Sequence, residues 1–168
     1  MYSIARHILF VLLAIAIMSG ASYASGGVKE GEPPPTFVLM DDKGKMRDFG
    51  EMIDKATVIY ITHNACYYCT QIVAFLKRAE TKFGKEALRI IGINVMAKDL
   101  RLINAYKEEL GFAFPMFAGN SSEFLRAYEV NYVPIIVFVT PEKIVHKVIG
   151  HYIHEPVLHE IIVETMGK

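Results

Sequence analysis

Three runs of β-branched and aliphatic residues leave this chain few ways to fold: Ala56 to Thr62 (ATVIYIT), Leu88 to Val95 (LRIIGINV) and Pro134 to Val139 (PIIVFV). None alternates apolar with polar, so each reads as a strand covered on both faces. Between the first and second runs, Ile72, Phe75, Leu76, Ala79 and Phe83 recur at helical spacing, and Gly84 stands where a helix ends. Between the second and third, Leu100, Ile103, Tyr106 and Leu110 mark another amphipathic helix, closed by Gly111, and a short helix is expected near Ser121 to Glu123. Strands alternating with helices imply an α/β layer fold with helices on both faces of a central sheet. After the third run, the turn Thr140-Pro141-Glu142-Lys143 leads into Ile144 to Ile149, so the last two strands should be antiparallel and the sheet mixed. Pro156 opens a final helix, where its missing N–H is of no consequence. A short strand, Phe37 to Met40, closed by the turn Asp41 to Gly44, precedes all of these.

The 168 residues suit one domain. With 18 Lys+Arg against 18 Asp+Glu, the chain has no net charge to draw it to nucleic acid. A hydrophobic fraction of 52% excludes a largely disordered chain. At the N-terminus, Arg6 precedes Ile8 to Met18 (ILFVLLAIAIM), eleven residues with no polar side chain. A bilayer-spanning helix needs about 20 apolar residues, whereas a signal-peptide core is this short. Small residues follow, so residues 1–24 are expected to be a signal peptide cleaved after Ala24, or alternatively after Ala21, with an uncleaved anchor or a buried core helix as the plainer readings. The expected product is a periplasmic or otherwise extracytoplasmic domain with no stable membrane span. Ser25 to Pro35 (SGGVKEGEPPP) reads as a flexible tether, leaving 36–168 as the folded domain.

The chain has two cysteines, in Cys66-Tyr67-Tyr68-Cys69, after a predicted buried strand and at the start of a predicted helix. There the unpaired N–H groups and the positive end of the helix dipole stabilise a thiolate. Cys66 would be the exposed nucleophile, and Cys69, one turn further in, would resolve the mixed disulfide. A permanent staple is the plainer alternative, but closing so small a ring stabilises by about 2 kcal/mol, against about 3 for a fifteen-residue loop. Half a metal site is another, but a closed zinc site needs four ligands. Strand, motif and helix in that order favour redox chemistry.

These residues resemble the thioredoxin superfamily, and most of all its exported TlpA/ResA-type branch. The resemblance spans Pro33 to Val163 and rests on PPTFVLMDDKGK, CYYC, LRIIGINV, GFAFPMFAGNSSEFLRAYEVNYVPIIVFV and the VIG at Val148 to Gly150. It implies a thioredoxin-like fold and thiol-disulfide exchange with protein thiols or disulfides. It further implies a reductant supplied by a membrane electron donor and acting in cytochrome c maturation or on a metal-centre assembly protein. The sequence has no nucleotide or flavin motif, and Thr70 stands where haem attachment would require His, so no cofactor and no metal are expected. The resemblance also implies that Pro134 is a cis-proline beside the disulfide, freeing the backbone of Val133 to pair with an extended substrate. The chain departs from the family at several points. Tyr60 stands where thioredoxins typically have a buried Asp, Ala65 where they have Trp, and Ile72 where ResA-type proteins carry Glu.

His63, three residues before Cys66, would tune its thiolate, or else is a loop histidine without a role. Tyr67 and Tyr68 would form an aromatic rim for a partner peptide, one of them packing on the domain. Tyr60 belongs in the core, with a hydroxyl that needs a partner. His146, His151, His154 and His159 read as surface histidines more readily than as a metal site. Two alternatives share the fold. A peroxiredoxin-like peroxidase normally has Thr where His63 stands. A copper-handling domain of the Sco type has three residues between its cysteines rather than two.

Overall fold

A computed structural model of the chain describes residues 27–167. The expected signal segment, Met1 to Ala24, lies outside them, as do Ser25 and Gly26. The elements run in the order β1 (Val38–Met40), β2 (Met46–Asp48), a 3-10 turn (Phe49–Met52), β3 (Ala56–Thr62), α1 (Tyr67–Phe83), β4 (Leu88–Asn94) and α2 (Leu100–Leu110). After these come β5 (Met116–Ala118), α3 (Ser122–Ala127), β6 (Ile135–Val139), β7 (Val145–Ile149) and α4 (Glu155–Met166).

Five strands form one sheet in the order β5-β4-β3-β6-β7. β3 pairs parallel with β4 and β4 with β5, while β6 runs antiparallel to both β3 and β7. The sheet is therefore mixed, as the sequence implies. Every residue of β3 is buried, because its two faces feed two cores. Val58 and Tyr60 point into a core covered by α1, α2 and α4. Ile59 and Ile61 point into a second core, closed by the 3-10 turn, α3 and the strand β1. A strand with no solvent face needs no polar alternation, which explains the unbroken ATVIYIT.

The helix boundaries follow local chemistry. Asp99 Oδ1 accepts from the Leu102 N–H at the start of α2 (3.0 Å), and Ser121 Oγ accepts from the Phe124 N–H at the start of α3 (3.1 Å). Gly111 ends α2 in the left-handed conformation, with φ of 61°. Gly44, at φ 76°, closes the β1–β2 turn, where Asp41 Oδ1 accepts from the N–H groups of Lys43 and Lys45.

Two short strands have no counterpart in the sequence reading. β1 pairs antiparallel, outside the main sheet, with β2, whose Met-Arg-Asp carries no apolar run. β5, three residues long, was likewise too short to show periodicity. Residues 27–35, tether-like in composition, lie along the domain. The Gly31 N–H donates to the Val145 carbonyl (2.8 Å), the Val145 N–H to the Glu32 carbonyl (2.9 Å) and the Val148 N–H to Glu30 Oε1 (3.2 Å). The Tyr128 hydroxyl donates to the Pro35 carbonyl (2.7 Å). Composition misleads here because the bonding is largely through backbone, which has no residue signature. This segment covers the edge of β7, and an Asp41–Phe117 bridge covers part of the β5 edge.

Candidate active site

The carboxyl end of β3 delivers the chain to α1 through His63-Asn64-Ala65, and Cys66 is the N-cap of that helix. In α2 and α3 an oxygen caps the first turn; here the Cys69 N–H donates to Cys66 Sγ at 3.1 Å. Cys66 and Cys69 form a disulfide. Cys66 is partly exposed, while Cys69 is fully buried in the core beneath α1. No acidic residue lies in the first turn of α1. The positive end of the dipole therefore acts on the sulfur unopposed by a carboxylate in that turn.

Beneath the motif lies a cluster of buried hydroxyls. The Tyr60 hydroxyl donates to the Cys69 carbonyl at 2.8 Å, which supplies the partner its burial demands. Thr62 Oγ1 and the Tyr106 hydroxyl share a hydrogen bond of 2.9 Å next to it. Burial holds the Tyr60 phenol well above its ordinary pKa, and the neighbouring Tyr106 adds to the effect. Tyr60 is thus a permanent donor and not a base. Nothing in the sequence shows which group Tyr60 meets.

Across from the disulfide, the Val133–Pro134 peptide is cis. The Val133 carbonyl oxygen lies 3.8 Å from Cys66 Sγ. Val133 and Pro134, from the loop before β6, are thereby brought together with the cysteine pair. His63 accepts the Ala65 N–H at its Nδ1 (3.1 Å), so that nitrogen faces backbone one residue short of Cys66. Asn94 Nδ2 donates to Asn64 Oδ1 at 2.7 Å and ties the end of β4 to the same loop.

Tyr67 and Tyr68 are both exposed, with ring centroids 5.6 Å apart. Tyr68 also packs on Tyr152 at 5.2 Å, and Tyr152 in turn meets Phe75 and His154. Sequence reasoning missed Tyr152, which sits among histidines after β7 with no periodicity to place it. Of the four histidines, His146 pairs with Glu164, His151 is exposed after β7, His154 is the N-cap of α4, and His159 lies 3.7 Å from Glu155 and edge-on to Phe83. Among the described residues no group of three His, Cys, Asp or Glu is arranged to hold a metal.

A two-cysteine disulfide at a helix N-terminus, on a mixed sheet with helices on both faces, defines a thioredoxin-like thiol-disulfide oxidoreductase. The chain belongs to the AhpC/TSA family, whose model matches residues 31–148. It is similar to the thiol-disulfide oxidoreductase ResA of Bacillus subtilis, with 23% identity over 153 residues that cover 91% of this chain and 85% of the relative. The ResA of Geobacillus thermodenitrificans is also 23% identical, over 83% of this chain and 82% of its own length. Among solved structures, a thioredoxin-family thiol:disulfide interchange protein from Chlorobium tepidum superposes with a TM-score of 0.70 at 17% identity. It covers 83% of this chain and 99% of its own. The thioredoxin domain of a thiol-disulfide oxidoreductase from Bacteroides vulgatus does so at 0.70 and 16%, over 82% and 98%.

Proposed function

We propose that this oxidoreductase works outside the cytoplasm as a reductant of protein disulfides, in cytochrome c maturation or the assembly of a metal centre. The observation that carries the chemistry is the asymmetry of the pair: Cys66 is partly exposed at a helix N-cap, and Cys69 is buried behind it. In the reduced protein, the Cys66 thiolate attacks a substrate disulfide, forms a mixed disulfide and releases one substrate thiol. The Cys69 thiolate then attacks Cys66 Sγ, the second substrate thiol leaves, and the Cys66–Cys69 disulfide forms. Two electrons have passed to the substrate, and a membrane donor must return them. Val133 offers its backbone to an extended substrate segment beside Pro134. Tyr67 and Tyr68 line the approach, and His63 tunes the thiolate.

Export is supported by the apolar run Ile8 to Met18 and the small residues after it, with residues 1–24 removed as a signal peptide. The direction of electron flow is supported by the likeness to ResA-type proteins.

The reduction potential of the Cys66–Cys69 pair tests the proposal, measured in graded thiol/disulfide buffers by alkylation and mass spectrometry. A value near −270 mV or lower is expected of a reductant; one near −120 mV would make the protein an oxidant. Stoichiometric consumption of hydrogen peroxide would favour a peroxiredoxin-like peroxidase, and one tightly bound copper per chain a Sco-like copper-handling domain. Cys66 alkylation at neutral pH is expected to slow in His63→Ala, and an unchanged rate would remove His63 from the scheme.

A further inference from the structure

We infer that Asn94, at the carboxyl end of β4, is a positioning residue of the redox pair. Through Asn64 it holds the β3–α1 connection in the form that makes Cys66 the N-cap of α1. The inference rests on Cys66 being the nucleophile, as proposed above, and adds what keeps that sulfur at the helix end.

The connection has little of its own to fix it. Asn64 and Ala65 are exposed and His63 is half-buried, so core packing does not set their backbone. The bond from the Ala65 N–H to His63 Nδ1 stays within the connection. Among the described residues, the 2.7 Å bond from Asn94 Nδ2 to Asn64 Oδ1 is the only side-chain hydrogen bond that reaches residues 63–65 from another segment. Cys66 follows in the extended form an N-cap requires, with φ of −107° and ψ of 107°, and its sulfur there meets the Cys69 N–H. A displaced connection would turn that sulfur from the helix end, where a thiolate is best stabilised.

The other end of the bond is rigid. The remaining buried residues of β4 are Leu88, Ile90, Ile91, Gly92 and Ile93, and among them Asn94 is a fully buried amide. Such a group is costly unless paired. Its Oδ1 accepts from the N–H groups of Met96 (3.0 Å) and Ala97 (3.2 Å), in the β4–α2 connection. Those two donors settle which way the amide is turned: Nδ2 must face Asn64, and Asn64 must answer with its oxygen. The Asn94 carbonyl accepts the Gly119 N–H (2.9 Å), after β5, and the next residue, Val95, donates its N–H to the Thr62 carbonyl (2.9 Å). Asn94 therefore joins three connections at the end of the sheet where Cys66 lies. A residue needed only for the β4–α2 turn would require an acceptor there; the donor aimed at Asn64 serves the cysteine connection.

The test reads the pH profile of Cys66 alkylation in the reduced full-length protein, with the modified cysteine identified by mass spectrometry. Asn64→Ala changes an exposed residue and removes the bridge alone. Asn94→Ser keeps an oxygen for the Met96 N–H and is too short to reach Asn64. In each, the profile should move to higher pH and the rate at neutral pH fall by roughly two- to fivefold, the size of a charge effect at a helix end. The double variant should lose no more than either single one, because both remove the same bond. The loss should persist in a His63→Ala background, since the bridge acts on the backbone and not through the imidazole. An unmoved profile in Asn64→Ala, losses that multiply in the double variant, or a loss that vanishes without His63 would each overturn the inference. So would an Asn94→Ser protein that unfolds at lower urea yet keeps the parent profile, because Asn94 would then be a core residue only. The parent protein separates the two levels. If Cys69 and not Cys66 is alkylated, the nucleophile assignment falls and this inference with it; if Cys66 reacts and both variants match the parent, only the inference falls.

Discussion

Three helices of this protein begin the same way, and one of them differs in the atom that closes the turn. At α2 and α3 an Asp carboxylate and a Ser hydroxyl accept the N–H three residues on; at α1 the acceptor is the sulfur of Cys66. α3 carries Glu123 in its first turn, while the first turn of α1 holds no acid. Oxygen caps and acids neutralise a helix N-terminus for stability. The redox helix leaves that role to a sulfur of the cysteine pair, and in the mechanism proposed above the Cys66 thiolate doubles as a charged cap. Stabilisation and reactivity are separate at α2 and α3 and coincide at α1.

Four substitutions can break or sharpen this contrast. Cys66→Ser replaces the sulfur with a good capping oxygen, so the domain should remain folded while disulfide exchange is abolished, as read by circular dichroism and a thiol-exchange assay. Loss of folding instead would show that the sulfur cap is structurally irreplaceable. Tyr60→Phe removes the buried bond to the Cys69 carbonyl and should lower the unfolding free energy by about 1–2 kcal/mol in urea titrations. Ser121→Ala, at an ordinary cap, should lower stability by about 1 kcal/mol and leave the reduction potential of the pair unmoved. Thr70→Glu brings an acid into the first turn of α1. It should slow Cys66 alkylation at neutral pH by roughly two- to fivefold, the kinetic equivalent of about 0.3–1 kcal/mol.

The α2 cap also makes a prediction about pH. The N–H of Leu102, and after it Arg101, hold the Asp99 carboxyl below its ordinary value. Its contribution to stability is therefore complete above the unfolded carboxylate pKa of about 3.9 and is lost as pH falls through the lower folded value. Asp99→Asn should flatten that part of the acid-unfolding curve. The Ser121 cap, which does not titrate, should show no such feature.

Much of this was legible in the sequence because the informative elements are long. ATVIYIT coincides with β3 residue for residue, and Gly84 and Gly111 mark the ends of α1 and α2. The cysteine motif and the Val133–Pro134 bond were legible through their resemblance to a known pattern. What stayed hidden depends on contacts between distant segments. Tyr60 reads as an ordinary core residue until the fold brings it under the carbonyl of Cys69. Tyr132 and Tyr152 belong to loops, where no periodicity says which way a ring turns. β2 and β5 are three-residue strands held by partners and not by their own propensity.

Residues 30–32 also carry a consequence for how this protein behaves at high concentration. A bare outer strand invites another chain to add to it, the first step of aggregation. Here the Val145 N–H and carbonyl are both engaged by the preceding segment, and the Val148 N–H is engaged by Glu30. In the function proposed above, the protein meets extended, cysteine-bearing chains continually. Covering this rim leaves β7 less open to the addition of such a chain.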